Sequence, residues 1–246
     1  MGTPARITWL GHATVLLELG GVRLLTDPVL RPAVAYLRRH AAAPEVPGRL
    51  DAVLLSHLHH DHLDLASLRL LPRDVRALVP AGAAALLRKA GFTEVVELEP
   101  GESTEVCGTR IEATRAEHDD RRALSSVRAR PMGFVVRGER PVYFAGDTDL
   151  FDAMEQLRPL DVALLPVAGW GSKLGPGHMN AERAARAAEL LRPGTAVPIH
   201  WGTFHPRWKA PGAWFRDPPN EFAAQVAELA PEVEVRVLAP GESLEL

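Results

Sequence analysis

The run Ser56-His57-Leu58-His59-His60-Asp61-His62 follows directly on the apolar stretch Ala52-Val53-Leu54-Leu55, and it places four imidazoles and a carboxylate within seven residues. A short apolar run bounded in this way reads as a buried strand. The chain must therefore fold with a strand that ends in a ligand-rich loop. Imidazole nitrogen and carboxylate oxygen suit zinc and neighbouring divalent metals, and a loop leaving a strand aims alternate side chains into one cleft. The bland alternative is a solvated His-rich loop, but His-x-His-x-Asp-His spacing behind a buried strand favours a metal site with donors enough for two ions.

The 246 residues suffice for a substantial core. No Ser/Gly-rich linker or charge run divides them, so residues 1–246 are expected to form a single domain. A composition of 46% hydrophobic and 24% charged residues is that of a soluble globular chain. No segment approaches the roughly 18 continuous apolar residues of a membrane span. The net charge of −3 gives no general attraction to nucleic acid or anionic lipid. Arg121, Arg122, Arg128 and Arg130 form a local basic cluster, partly neutralised by Asp119 and Asp120. Neither a nucleic-acid partner nor stable membrane association is expected, and the partner left is a small-molecule substrate. Cys107 is the only cysteine, which excludes an internal disulfide and a cysteine-rich zinc knuckle, and it reads as buried filler. The first residues lack a basic start followed by an apolar stretch, so a cytoplasmic location is the expectation.

Strand patterns open the chain at residues 7–10, 14–19 and 22–26, with Gly20-Gly21 turning the last two into a hairpin. Residues 28–48 read as loop or short helix lying over one face, followed by a strand at 52–55. Helices are expected at 63–71, 81–90, 150–157, 181–191 and 219–230. Further strands are expected at 76–79, 94–98, 102–107, 110–114, 132–137, 141–145, 162–166, 196–200 and 233–238. Strands in two blocks, each accompanied by helices, point to two sheets sharing one core.

A metal site on such a scaffold gathers ligands from several strand ends. His118 follows the apolar pattern 111–117, Asp147 follows Val142-Tyr143-Phe144-Ala145-Gly146, and His200 ends Ala196-Val197-Pro198-Ile199. Each alone could be a surface histidine, a turn former or a helix cap. Beside the His57 to His62 loop, all three become candidate ligands.

Gly11-His12-Ala13-Thr14, Thr26-Asp27-Pro28, the His57 to His62 run, Ala145-Gly146-Asp147-Thr148-Asp149 and Ile199-His200-Trp201-Gly202-Thr203-Phe204 follow in an order that resembles the metallo-β-lactamase superfamily. Within it, the chain is most similar to the branch containing N-acylphosphatidylethanolamine phospholipase D and the ascorbate-phosphate lactonases. The resemblance implies an α/β fold, a four-layer αββα sandwich of two mixed β-sheets flanked by helices. It further implies that His57, His59 and His118 hold one ion, that Asp61, His62 and His200 hold the second, and that Asp147 bridges them. His178 matches a position beside the substrate in the phospholipase branch, and a contact with the scissile oxyanion or protonation of the leaving group is expected of it. Asn180 as a helix cap, with His178 idle beside it, is the competing reading.

Two divalent ions sharing a bridging water lower its pKa and polarise the oxygen under attack, so no serine or cysteine nucleophile is needed. The expected cofactors are two divalent ions, zinc first, with manganese or iron accepted by the same donors. Asp61 is expected to orient the hydroxide as well as bind metal. His12 and Asp27 are expected to fix the ligand imidazoles, and His60 to face solvent. His40 and His205 are expected at the surface, His205 with a weak claim on the pocket. Trp170, Trp201, Phe204, Trp208 and Trp214 lie in or near loops after ligand-bearing strands, where aromatic walls would suit an acyl, aryl or sugar group. The expected activity is hydrolysis of a phosphodiester or related ester, with Arg121 and Arg122 suited to an anionic substrate. Lactone hydrolysis at the same centre and a non-catalytic sensor are the alternatives, while β-lactam hydrolysis is not expected.

Overall fold

The computed structural model describes residues 5–119, 127–169 and 173–246. In chain order the first half comprises β1 (Arg6–Gly11), β2 (Thr14–Leu19), β3 (Val22–Thr26), β4 (Ala33–Val34), β5 (Leu37–Arg39), β6 (Ala52–Leu54), α1 (Leu65–Leu68), β7 (Arg76–Pro80), α2 (Ala84–Ala90) and β8 (Val95–Leu98). The second half comprises β9 (Ser103–Val106), β10 (Thr109–Arg115), β11 (Met132–Arg137), β12 (Val142–Phe144), a 3-10 segment (Asp152–Leu157), β13 (Val162–Pro166), α3 (Ala181–Leu191), β14 (Thr195–Ile199), β15 (Phe204–Pro206), α4 (Ala213–Arg216), α5 (Pro218–Leu229), β16 (Glu234–Val235) and β17 (Ser243–Glu245).

Two seven-stranded sheets form, ordered β17-β1-β2-β3-β6-β7-β8 and β16-β14-β13-β12-β11-β10-β9. Both are mixed. In the first, β17 through β3 pair antiparallel and β3, β6, β7 and β8 run parallel. In the second, β9 through β12 pair antiparallel and β12, β13, β14 and β16 run parallel.

Alternation along the strands builds the layers. Val162 and Leu164 of β13 face the shared core with Trp9, Leu17, Leu24, Leu54 and Phe134, while Ala163 and Leu165 face α3 and α5 with Ala184, Ala188, Phe222 and Val226. In the first sheet Leu78 of β7 faces the same core, and Ala77 and Val79 pack under Leu68 and Leu87 of α1 and α2. Strands buried on both faces lose the polar alternation of a surface strand, which is why the parallel segments read as continuous apolar runs. The result is the expected four-layer αββα sandwich. No helix among the described residues is long and apolar enough to cross a membrane.

Several elements depart from the sequence reading. Residues 28–48 contain the β4–β5 hairpin, and β5 pairs with β15, a partner more than 160 positions away. The helix expected at 63–71 is a single turn, capped where the Asp64 carboxylate accepts hydrogen bonds from Ser67 N and Oγ at 3.0 and 2.6 Å. The helix at 81–90 begins only at Ala84, because Gly82 stands at φ +94°, outside helical backbone, and Gly82 N and Ala84 N both donate to Glu97 Oε1 at 2.8 Å. The segment 150–157 is a 3-10 turn rather than an α-helix, closed off by Pro159 two residues on. The last strand pattern shortens to β16, and β17 was not foreseen. Cys107 is exposed in the β9–β10 turn at φ +48°, beside Gly108 at φ +79°, so it is no core filler.

Candidate metal centre

The candidate residues project from the C-terminal ends of strands in both sheets. β6 leads into His57, His59, Asp61 and His62; β10 is followed by His118, β12 by Asp147 and β14 by His200. His12 stands between β1 and β2, and Asp27 ends β3. Six non-glycine residues of the described chain have positive φ, and His12 (+57°), Asp27 (+32°) and His200 (+62°) are three of them. Left-handed backbone at non-glycine residues is uncommon and concentrates where a site over-determines the geometry. Gly146 (φ +62°) lets the chain turn under Asp147, since a Cβ there would come within 2.6 Å of Ser56 Cβ.

The side chains fall into two groups about one carboxylate. His57, His59 and His118 offer nitrogens that all lie within 4.8 Å of one another, and the nitrogens of His12, His62 and His200 and a carboxylate oxygen of Asp61 lie as close together. His59 Nδ1 is 3.0 Å from His118 Nε2, and His62 Nε2 is 3.2 Å from His200 Nε2. Asp147 reaches both groups. Its Oδ2 is 4.0 Å from His57 Nε2 and His118 Nε2 and 3.2 Å from His62 Nε2, and its Oδ1 is 3.2 Å from His200 Nε2.

Hydrogen bonds on the far side of each ring fix its tautomer. Carbonyl and carboxylate oxygens can only accept, so His118 Nδ1 donates to Gly177 O at 2.7 Å, His200 Nδ1 to Ala168 O at 2.8 Å, and His62 Nδ1 to Asp27 Oδ2 at 2.7 Å. Ser56 Oγ gives its one proton to Asp27 Oδ2 at 2.5 Å, which leaves His57 Nδ1 to donate to Ser56 Oγ at 2.9 Å. In the neutral rings, the Nε2 atoms of His57, His62, His118 and His200 therefore present lone pairs to the centre. His57 Nε2 is buried and has no hydrogen-bond partner among the described residues. Converging lone pairs and carboxylates repel one another unless a cation joins them. This donor set fits divalent ions.

The electrostatics agree. Burial disfavours charge on an imidazole, and it lowers His12 to about 3, His118 to about 4, and His57 well below its ordinary value. Burial opposes charge on His62 too, but Asp147, Asp27 and Asp61 outweigh it and raise that group well above its ordinary value. The pocket's demand for positive charge falls there on a proton. Asp147 is held well below the usual carboxylate range, against burial, by His200 and His62.

His178 approaches Asp147 from the cleft side, its Nε2 3.4 Å from Oδ2, and forms a further candidate group with His118 and Asp147. Burial opposes its charge, yet the Asp147 carboxylate raises it to about 9. Gly177 (φ +78°) permits this approach, because a Cβ there would lie 2.9 Å from His118 Cα. Asn180 does cap α3, accepting from Arg183 N at 2.9 Å, so cap and cleft histidine coexist. His12 Nε2 meets Asp61 Oδ2 at 3.0 Å, and Asp27 accepts from Ser56 N at 2.7 Å as well as from Ser56 Oγ and His62. Ser56 was not singled out from sequence.

His60 is half-buried and lines the cleft instead of facing bulk solvent. His40 is exposed, and His205 Nδ1 donates to Lys209 O or Pro206 O, away from the centre. Trp201 stacks on Trp9 against the core, Phe204 is buried, and Trp208 is exposed beside Tyr36. Arg121, Arg122 and Trp170 lie outside the described residues.

A family described as a beta-lactamase superfamily domain matches residues 22–201. A UPF0173 metal-dependent hydrolase of Methanopyrus kandleri is 36% identical over 98% of this chain and 99% of its own length. An N-acyl-phosphatidylethanolamine-hydrolyzing phospholipase D of Caenorhabditis elegans is 32% identical over 80% of this chain and 64% of its own length. Among solved structures, the metallo hydrolase Igni18 of Ignicoccus hospitalis superposes with a TM-score of 0.77 at 27% identity, covering 99% of both chains. With these matches spanning the strands and loops that carry the histidine and aspartate cluster, the chain belongs to the metallo-β-lactamase superfamily.

Proposed function

We propose that this metal-dependent hydrolase cleaves a phosphodiester or related ester at a two-ion centre. The observation that carries the reading is Asp147, whose two carboxylate oxygens reach the locked lone pairs of both histidine groups. His57, His59 and His118 would hold one ion and Asp61, His62 and His200 the other, with Asp147 shared. When bound, divalent ions supply a water of lowered pKa and polarise the oxygen of the bond under attack.

The chain's own residues do the rest. The Ser56, Asp27, Ala168 and Gly177 hydrogen bonds hold the imidazoles in one tautomer and aim their Nε2 atoms at the centre. His12 holds one oxygen of Asp61, leaving the other to orient the attacking water. His178, charged beside Asp147, carries a proton on Nε2 at the edge of the cleft and is placed to donate it to the departing oxygen or to a phosphoryl oxygen. The cleft holds about 220 Å³ and is lined by His59, His60, Asp61, Asp147, His178 and residues 34–37. That is room for a small ester. The C. elegans relative, by its description a phospholipase D, supports a phosphodiester.

The protein loaded with zinc, manganese or iron should be assayed on bis-p-nitrophenyl phosphate, a lactone panel and β-lactams. Turnover of the phosphodiester, abolished by chelation and restored by metal, is expected. Turnover of lactones alone would replace the phosphodiester reading, and inactivity on every member with full metal occupancy would favour a sensor.

A further inference from the structure

Thr148 and Asp149 follow Asp147 in the turn after β12, and neither is among the proposed ligands. Thr148 is fully buried, and its hydroxyl is used twice: Oγ1 accepts from Glu117 N at 2.9 Å and donates to Asp149 O at 2.8 Å. A threonine shortly ahead of a helical segment ordinarily caps it. Here the 3-10 segment starts beyond Phe151 without a side-chain cap, and the Thr148 hydroxyl reaches instead to the segment after β10, 31 positions earlier in the chain. Asp149 N doubles the tie by donating to Glu117 O at 2.9 Å. The turn that carries Asp147 and the strand end that carries His118 are thereby locked to each other.

His178 is hung from this knot on both sides. Gly177, the residue before it, accepts at its carbonyl from His118 Nδ1 at 2.7 Å and packs so closely that a Cβ on it would lie 3.0 Å from Glu117 O. Met179, the residue after it, is buried and donates its N–H to Thr148 O at 3.1 Å. One side chain, that of Thr148, joins the two supports. Asp149 adds an outer brace, because its Oδ1 lies 2.7 Å from Arg183 Nη2 in the first turns of α3 and accepts from Leu150 N at 2.8 Å. The His178 ring itself meets the carbonyls of Gly175 and Pro176, both in its own loop, at 3.2 Å from Nδ1. A loop-borne imidazole keeps a productive geometry through the supports of its backbone.

We infer that Thr148 is a positioning residue for His178: its hydroxyl holds the His118 segment against the Asp147 turn and so fixes the two attachment points between which His178 presents Nε2 to the cleft. The inference rests on His178 acting as the proton donor of the hydrolysis and adds what keeps it in place. A reacting group displaced by about 1 Å loses on the order of 100-fold in rate. Loosening one support of His178 should cost less than removing its ring.

The test measures kcat, KM and zinc content with bis-p-nitrophenyl phosphate in Thr148→Val, which keeps the shape and loses the hydroxyl, alone and combined with His178→Ala. Thr148→Val should lower kcat about tenfold with KM and zinc content unchanged, and Thr148→Ser should bring kcat back to within about twofold of the wild type. Added to His178→Ala, Thr148→Val should lower kcat by less than about twofold more. Amide exchange at Met179, followed by NMR in the zinc-loaded protein, should quicken about tenfold in Thr148→Val and revert in Thr148→Ser. Wild-type kcat or lost zinc in Thr148→Val, no recovery in Thr148→Ser, unchanged exchange at Met179, or the same loss of kcat with and without His178 would overturn the inference. Should Thr148→Val not fold, Arg183→Gln at the exposed end of the brace takes its place, with kcat about threefold lower in the wild type and unaltered in His178→Ala; equal loss in both backgrounds, or none in either, counts against the inference. Protein that cleaves no diester but shows the Met179 response would sink the phosphodiester reading and leave the positioning standing. Protein that cleaves the diester, with Thr148→Val acting independently of His178, would do the reverse.

Discussion

Asp27 is not among the proposed ligands, and it receives hydrogen bonds from Ser56 N, Ser56 Oγ and His62 Nδ1. Replacing it frees two rings at once, because Ser56 is what fixes His57. Asp27→Ala should therefore weaken zinc binding by about 10- to 100-fold in a chelator competition, and an unchanged affinity would remove its orienting role. His178 makes the opposite prediction. Its variant His178→Ala should retain both ions and lower kcat on bis-p-nitrophenyl phosphate by about 100-fold; full kcat would return it to a bystander of the α3 cap. Gly146→Ala would drive a methyl into Ser56 at a left-handed turn, so a destabilisation of about 1–3 kcal/mol in a denaturant titration is expected, with loss of metal through the displaced Asp147.

At the scale of elements, what the sequence disclosed follows burial. β2, β3, β11, β13 and α3 lie where their patterns place them, since the strands bury most of their length and α3 repeats its buried residues at helical spacing, Ala181, Ala184, Ala185, Ala188 and Leu191. Leu164→Ala in β13, a fully buried position between the sheets, should cost about 2–5 kcal/mol by denaturant unfolding, and a cost near zero would contradict the shared core. The short strands were illegible for a reason of the same kind. β4, β5, β15 and β17 have two or three residues each, and β5, β15 and β17 pair with partners distant in the chain, β17 on β1 and β15 on β5. The 150–157 segment has a helical composition but closes as a 3-10 turn. The clustered histidines could be read locally because His57 to His62 declare themselves by spacing, and His118, Asp147 and His200 by following strands. Ser56 could not, because it acts through a hydroxyl shared by two side chains.

The two mixed sheets of seven strands meet at the centre, which takes donors from both. The first sheet contributes His12, Asp27 and the His57 to His62 loop; the second contributes His118, Asp147 and His200. Ions held there would clasp the two sheets along one edge, so their removal by chelation should lower the Tm and their return should restore it, whereas an unchanged Tm would place any bound metal elsewhere. The direct measurement is native mass spectrometry of the folded chain at saturating zinc. Two ions per chain are predicted, falling to one or none in Asp147→Ala. One ion or none in the wild type, or two undisturbed by Asp147→Ala, would contradict a centre shared across that carboxylate.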